Sequence, residues 1–150
     1  MFEDVKDLYQ DIILRHGRNP VHMRKLDPYD AASKGDNPMC GDRIEVRLRL
    51  APNGDLQDIA FEARGCAISM ASADLMAEAL TNRTQHEARQ LAADFATLAK
   101  TGHTDSRDPA IETLKPLAGV SDYPSRVKCA VLPWAALTAA LDGVKESTSE

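Results

Sequence analysis

The stretch Arg43-Ile-Glu-Val-Arg-Leu-Arg-Leu50 constrains the fold most. Apolar residues stand at 44, 46, 48 and 50 with charged residues between them, the period-two pattern of a strand with one wet face and one buried face. Pro52-Asn53-Gly54-Asp55 follows as a turn signal. Residues 56–63 then return, with Ile59, Phe61 and Ala63 alternating. The pattern predicts an antiparallel hairpin over about 43–63.

Helical patterns surround it. Val5, Leu8, Tyr9, Ile12 and Ile13 have helical spacing over 3–16, with acids at the start and Gly17 and Pro20 beyond the end. Residues 67–81 are small, apolar and free of glycine and proline. Thr84-Gln-His-Glu87 is a capping-box pattern opening a helix to about Lys100. Asp108-Pro109 opens a short helix to about Leu117. Val127, Val131, Trp134, Leu137 and Leu141 mark a last helical segment, which Pro133 either kinks or divides. Residues 20–39 have no period and are expected to be irregular.

A chain of 150 residues fits one domain, assigned to 1–144, with 145–150 expected to be a flexible polar tail. A net charge of −5 and 5% aromatic residues argue against nucleic acid. No apolar run approaches the ~20 residues of a membrane span. The first residues are acidic where a signal peptide is basic. The expectation is a cytoplasmic protein.

The three cysteines, Cys40, Cys66 and Cys129, are too few and too widely spaced for a disulfide framework. Cys40-Gly41-Asp42 precedes the first hairpin strand and Gly65-Cys66 follows the second. The outer ends of hairpin strands lie together, so Cys40, Asp42 and Cys66 collect at one end of the sheet. A final helix packed on the sheet can bring Cys129 to the same end. Zinc takes thiolate and carboxylate ligands, an iron–sulfur cluster takes thiolates, and buried cysteines are also ordinary core residues. Spacing alone leaves these three readings open. His16 at a helix end suits the helix dipole. His86 and His103 lie in polar surroundings, and Ser69 and Ser72 suit capping and packing. The basic run Arg15–Lys25, which includes His22, is a candidate surface for an acidic partner.

Four ordered motifs carry a resemblance. Leu8-Tyr9, Ile13 and His16-x-x-Asn19-Pro20 are followed by Asn37-Pro-Met-Cys40-Gly-Asp42-Arg. Then come Phe61-Glu62 with Gly65-Cys66-Ala-Ile-Ser69-Met-Ala-Ser72-Ala, and Gly119-Val-Ser121 with Pro124-x-Arg126-x-Lys128-Cys129-Ala. Together they resemble the SufU branch of the IscU/NifU-N-terminal iron–sulfur cluster assembly superfamily. The resemblance implies an α+β fold in which a small antiparallel sheet packs against several helices. It also implies one metal centre on Cys40, Asp42, Cys66 and Cys129. IscU-like scaffolds carry His before the last cysteine, whereas SufU-like members have Lys, as Lys128 here, and a longer segment between the second and third cysteines. Ala63 stands where the family often has glycine, which affects only the local loop.

The resemblance implies a zinc-dependent sulfurtransferase that accepts persulfide sulfur from a SufS-type pyridoxal-phosphate cysteine desulfurase and passes it to a downstream assembly scaffold. Cys40 is the expected sulfur acceptor, and Arg126 and Lys128 are the candidate supporting cations. Two other roles use the same ligands: a scaffold for a [2Fe–2S] cluster, and a structural zinc protein that activates the desulfurase by docking.

Overall fold

The computed structural model describes the backbone of residues 2–39 and 41–148 and the side chains of residues 10–39 and 41–146. The expected hairpin is present as β2 (Asp42–Leu50) and β3 (Leu56–Arg64), paired antiparallel from Arg43↔Arg64 to Leu48↔Ile59, with an irregularity at Arg49/Leu50. Ile44, Val46, Leu48, Ile59 and Phe61 are buried, as their alternation requires.

Four helices follow their patterns, whereas the one expected from Asp108-Pro109 to about Leu117 starts only after Ala110 and gives way to 3-10 at Lys115, since Pro116 has no N–H for an α-helical bond. The helices are α1 (Phe2–Arg18), α2 (Ala67–Leu80), α3 (Gln85–Thr101), the single turn α4 (Ile111–Leu114) running into a 3-10 segment (Lys115–Asp122), and α5 (Pro124–Leu141). Thr84 and Glu87 form the full capping box, and Gly102 closes α3 in the left-handed conformation at φ 88°. Among the described residues, no helix is long and apolar enough to cross a membrane.

Two further sequence expectations need correction, and a third is resolved. Residues 31–37, expected to be irregular, form strand β1 (Ala31–Asn37), antiparallel to β2 from Ala31↔Leu48 to Asn37↔Asp42. Its sequence, Ala-Ala-Ser-Lys-Gly-Asp-Asn, has little strand propensity. Tertiary packing compensates: α5 lies on β1 and β2, and a Cβ on Gly35 would sit 3.1 Å from Leu132 and 3.2 Å from Ala136. Small residues here let the helix approach. The segment 145–150, expected to be a tail, contributes β4 (Glu146–Thr148), parallel to β1, so the sheet order is β3-β2-β1-β4. A polar edge strand needs only backbone pairing, which composition does not reveal. Pro133 neither ends nor divides α5, which runs on through it. The helix is held there by neighbours: Trp134 stacks on Phe95 with centroids 4.7 Å apart, and its indole N–H donates to Ser72 Oγ at 3.1 Å.

The core lies between the inner sheet face and α2, α3 and α5. α1 packs along α2. His16 Nδ1 is 2.6 Å from the buried carboxylate of Asp74 on α2, which also accepts the His22 backbone N–H at 2.8 Å. Gly17 lets α1 close on the start of α2, since a Cβ there would fall 2.8 Å from the Ala67 carbonyl oxygen.

Thr84→Ala removes one half of the capping box and is expected to cost about 1 kcal/mol in urea unfolding. Arg83 pairs with Asp108 at 2.5 Å and holds that carboxyl below the usual carboxylate range. A depressed carboxyl stabilises the fold above its unfolded pKa, and the contribution is lost as pH falls through the lower, folded value. Asp108→Asn is therefore expected to lower the thermal midpoint at neutral pH, with the difference from wild type closing below about pH 4.

Candidate metal centre

The site is built on the last row of the sheet. β1 ends at Asn37, paired with Asp42 at the start of β2. Antiparallel pairing of Arg43 with Arg64 carries the row on to Gly65, just past β3. Asn37 and Asp42 are both buried, at 1% and 2% exposure. Gly65 leaves room for the carboxylate: a Cβ there would lie 2.8 Å from Asp42 Cγ. A glycine at 65 is required by close approach. Gly41 is required by conformation, with φ 75° in the turn that leads into β2.

Asp42 binds the next residue directly. Its Oδ1 accepts the Cys66 backbone N–H at 3.0 Å, and its Oδ2 lies 3.7 Å from Cys66 Sγ. Cys66 is the N-cap of α2, where its Sγ accepts the Ser69 N–H at 3.5 Å. That places the sulfur against the backbone N–H groups left open at the start of a helix. Cys66 is exposed.

Cys129 comes from α5. The contacts of Leu132 and Ala136 with Gly35 set the helix over the sheet, and Cys129, one turn before Leu132, comes over the Asn37–Asp42 row. It is 5% exposed, with Asn37 Nδ2 at 3.9 Å from its sulfur. Ligand atoms of Asp42, Cys66 and Cys129 all lie within 4.8 Å of one another. A tetrahedral zinc ion with Zn–O and Zn–S bonds of ~2.0–2.3 Å would hold such atoms ~3.5 Å apart, so the 3.7 Å from Asp42 to Cys66 fits the ion.

Three of the four expected ligands thus meet. The fourth, Cys40, lies outside the described residues. Of the expected cations, Lys128 is half-buried beside Cys129, while Arg126 is exposed with its guanidinium 4.5 Å from the Tyr123 ring centroid. In the basic run, Arg24 pairs with Asp58 at 2.5 Å, and Arg15, Arg18 and Lys25 are exposed. His16 is the partner of Asp74, a role no local pattern signalled, whereas His86 and His103 are exposed as expected. Ser72 packs as expected, but Ser69 is no cap: Cys66 holds that place, and Ser69 gives it only a backbone N–H. Sequence reading missed Asn37 as a participant. Its signal was present in the Asn-Pro-Met-Cys-Gly-Asp motif, but its contact depends on β1, which was not anticipated.

The NifU-like N-terminal domain model matches residues 8–130. The chain is 36% identical over 132 residues to the zinc-dependent sulfurtransferase SufU of Bacillus subtilis, covering 87% of this chain and 86% of that protein. It is 34% identical over 134 residues to the iron–sulfur cluster assembly scaffold protein IscU of Streptococcus pyogenes, covering 89% and 82%. Among solved structures, a candidate assembly scaffold for the SUF system from Fervidobacterium islandicum superposes with a TM-score of 0.80 at 27% identity, covering 87% of this chain and 94% of the other.

Gly65→Ala forces Asp42 or the Cys66 backbone to move. It is expected to cost roughly 1–3 kcal/mol of stability by overpacking, measured by urea unfolding of the metal-free protein.

Proposed function

Because the chain belongs to the NifU-like N-terminal domain family of iron–sulfur cluster assembly proteins, we propose that it is a zinc-dependent sulfurtransferase. In this reading it takes sulfur from a SufS-type cysteine desulfurase and passes it to a downstream assembly scaffold. The observation that supports a metal-bound and accessible site is the mixed donor set with one open side: a buried carboxylate and a buried thiol beside the exposed thiol of Cys66. Lys128 supports the same choice, because the resemblance to IscU-like scaffolds implies histidine before the last cysteine and the resemblance to SufU-like proteins implies lysine.

Asp42, Cys66 and Cys129, with Cys40 of the adjoining turn, would hold the ion. When bound, zinc keeps thiols in the nucleophilic thiolate form near neutral pH. Three thiolates and one carboxylate leave a net charge of about −2 around Zn²⁺, which needs nearby donors or cations. The Asp42 carboxylate already accepts the Cys66 N–H, and the Cys66 sulfur accepts the Ser69 N–H at the start of α2. A hard oxygen ligand among soft sulfurs makes an exchangeable position.

The transfer step conserves atoms and electrons. The Cys40 thiolate attacks the outer sulfur of the desulfurase persulfide. A new S–S bond forms to Cys40 as the old one breaks, and the desulfurase cysteine leaves as a thiolate. The sulfane sulfur moves with its oxidation level unchanged, so no external oxidant or reductant is needed.

A scaffold role for a [2Fe–2S] cluster is the second reading, favoured by the IscU-named relative at similar identity. Cys40→Ala is expected to abolish labelled sulfur transfer from the desulfurase while the two proteins still associate in pull-down. Transfer at the wild-type rate would overturn Cys40 as acceptor. Undiminished stimulation of desulfurase turnover would favour activation by docking alone.

A further inference from the structure

Asn37 is a buried amide at the centre of the site. It lies at the end of a strand whose other inward residues are Ser33 and Gly35. An amide removed from water is unfavourable unless its polar groups are satisfied, and here both ends are used. Oδ1 accepts the Met39 backbone N–H at 3.2 Å, and the Asn37 carbonyl accepts the Gly41 N–H at 2.9 Å. The orientation of the amide follows from this. A backbone N–H only donates, so the oxygen faces Met39 and the NH₂ group points away from it. On that side it meets Cys129 Sγ at 3.9 Å. One side chain therefore touches both the turn that carries Cys40 and the sulfur delivered by α5.

We propose that Asn37 is a positioning residue of the metal centre: it fixes the 38–41 turn and donates an N–H to the Cys129 sulfur. Negative charge on that sulfur strengthens the bond, as hydrogen bonds to ionised acceptors are stronger than neutral ones. The turn and α5 are far apart in sequence and share no backbone pairing. Asn37 gives them a common anchor, so the ligands keep their spacing as sulfur or metal is exchanged. The inference rests on the metal-centre reading above.

The test uses Asn37→Ser, Asn37→Asp and Asn37→Ala in the full chain. Serine and aspartate both keep an acceptor for the Met39 N–H, and serine does so without adding charge. Neither presents an amide donor to Cys129. Zinc affinity is measured by competition with a chromophoric chelator, and the cobalt(II)-loaded proteins give the thiolate-to-metal charge-transfer band. All three variants are expected to lose roughly 10–100-fold in zinc affinity, the usual effect of removing an outer-shell partner. Their bands are expected at longer wavelength, because the sulfur electrons lose a stabilising donor.

A serine variant with wild-type affinity and an unmoved band overturns the proposal, even if alanine is impaired, since the side chain then serves the turn alone. Unchanged values in all three variants overturn it as well. Wild-type protein that binds neither metal overturns the metal-centre reading together with this one. Wild-type binding with unaffected variants overturns this one only.

Discussion

The buried carboxylate of Asp42 is the interaction on which the site depends. It accepts the backbone N–H of Cys66 across the open end of the hairpin and stands against a glycine at 65. That one bond joins the start of β2 to the start of α2. It fixes where the helix begins and so where its capping sulfur points. Without it, the buried carboxylate would lose a backbone donor, a costly change. The exposed neighbours Arg43 and Arg64 face each other across the same strands. Like charges in register disfavour pairing, and Asp36, 3.7 Å from Arg43 on the adjoining strand, offsets that repulsion.

The second requirement is that α5 lie close to the sheet. Gly35 on β1 meets Leu132 and Ala136 of α5, and Ser72 of α2 donates to the Ala130 carbonyl at 2.5 Å. Both contacts act within two turns of Cys129. The middle of α2 is also tied to the α1 exit, through Asp74, His16 and the His22 N–H. The candidate metal centre thus lies where three separately anchored elements converge. Its sulfur and oxygen atoms are held by side chains and backbone that belong to the core, a rigid support of the kind that second-neighbour contacts give metal sites.

The sequence made legible whatever was written in local period or in caps. The alternation at 44–50 marks β2, Thr84 and Glu87 mark the start of α3, and the hairpin places Asp42 and Cys66 at one end. It concealed what depends on distant partners. β1 is a strand because β2 and α5 accept Ala31, Ser33 and Gly35, and nothing in those residues announces it. Asp74 reads as a polar interruption in an apolar helix until His16 is beside it. Asn37 reads as a turn residue until Cys129 arrives from 92 residues away. Cys129 itself was a candidate by composition, and only the packing of α5 brings it within reach of Asp42.

Family membership gives iron–sulfur cluster assembly, and the local chemistry gives one candidate centre with an accessible edge at Cys66. The most direct test is the zinc, iron and acid-labile sulfide content of the protein isolated without oxygen. About one zinc per chain, with no sulfide and no colour, is the predicted result. Iron and sulfide in equal amounts with a brown chromophore would contradict the sulfurtransferase account, and protein without metal would contradict the centre itself.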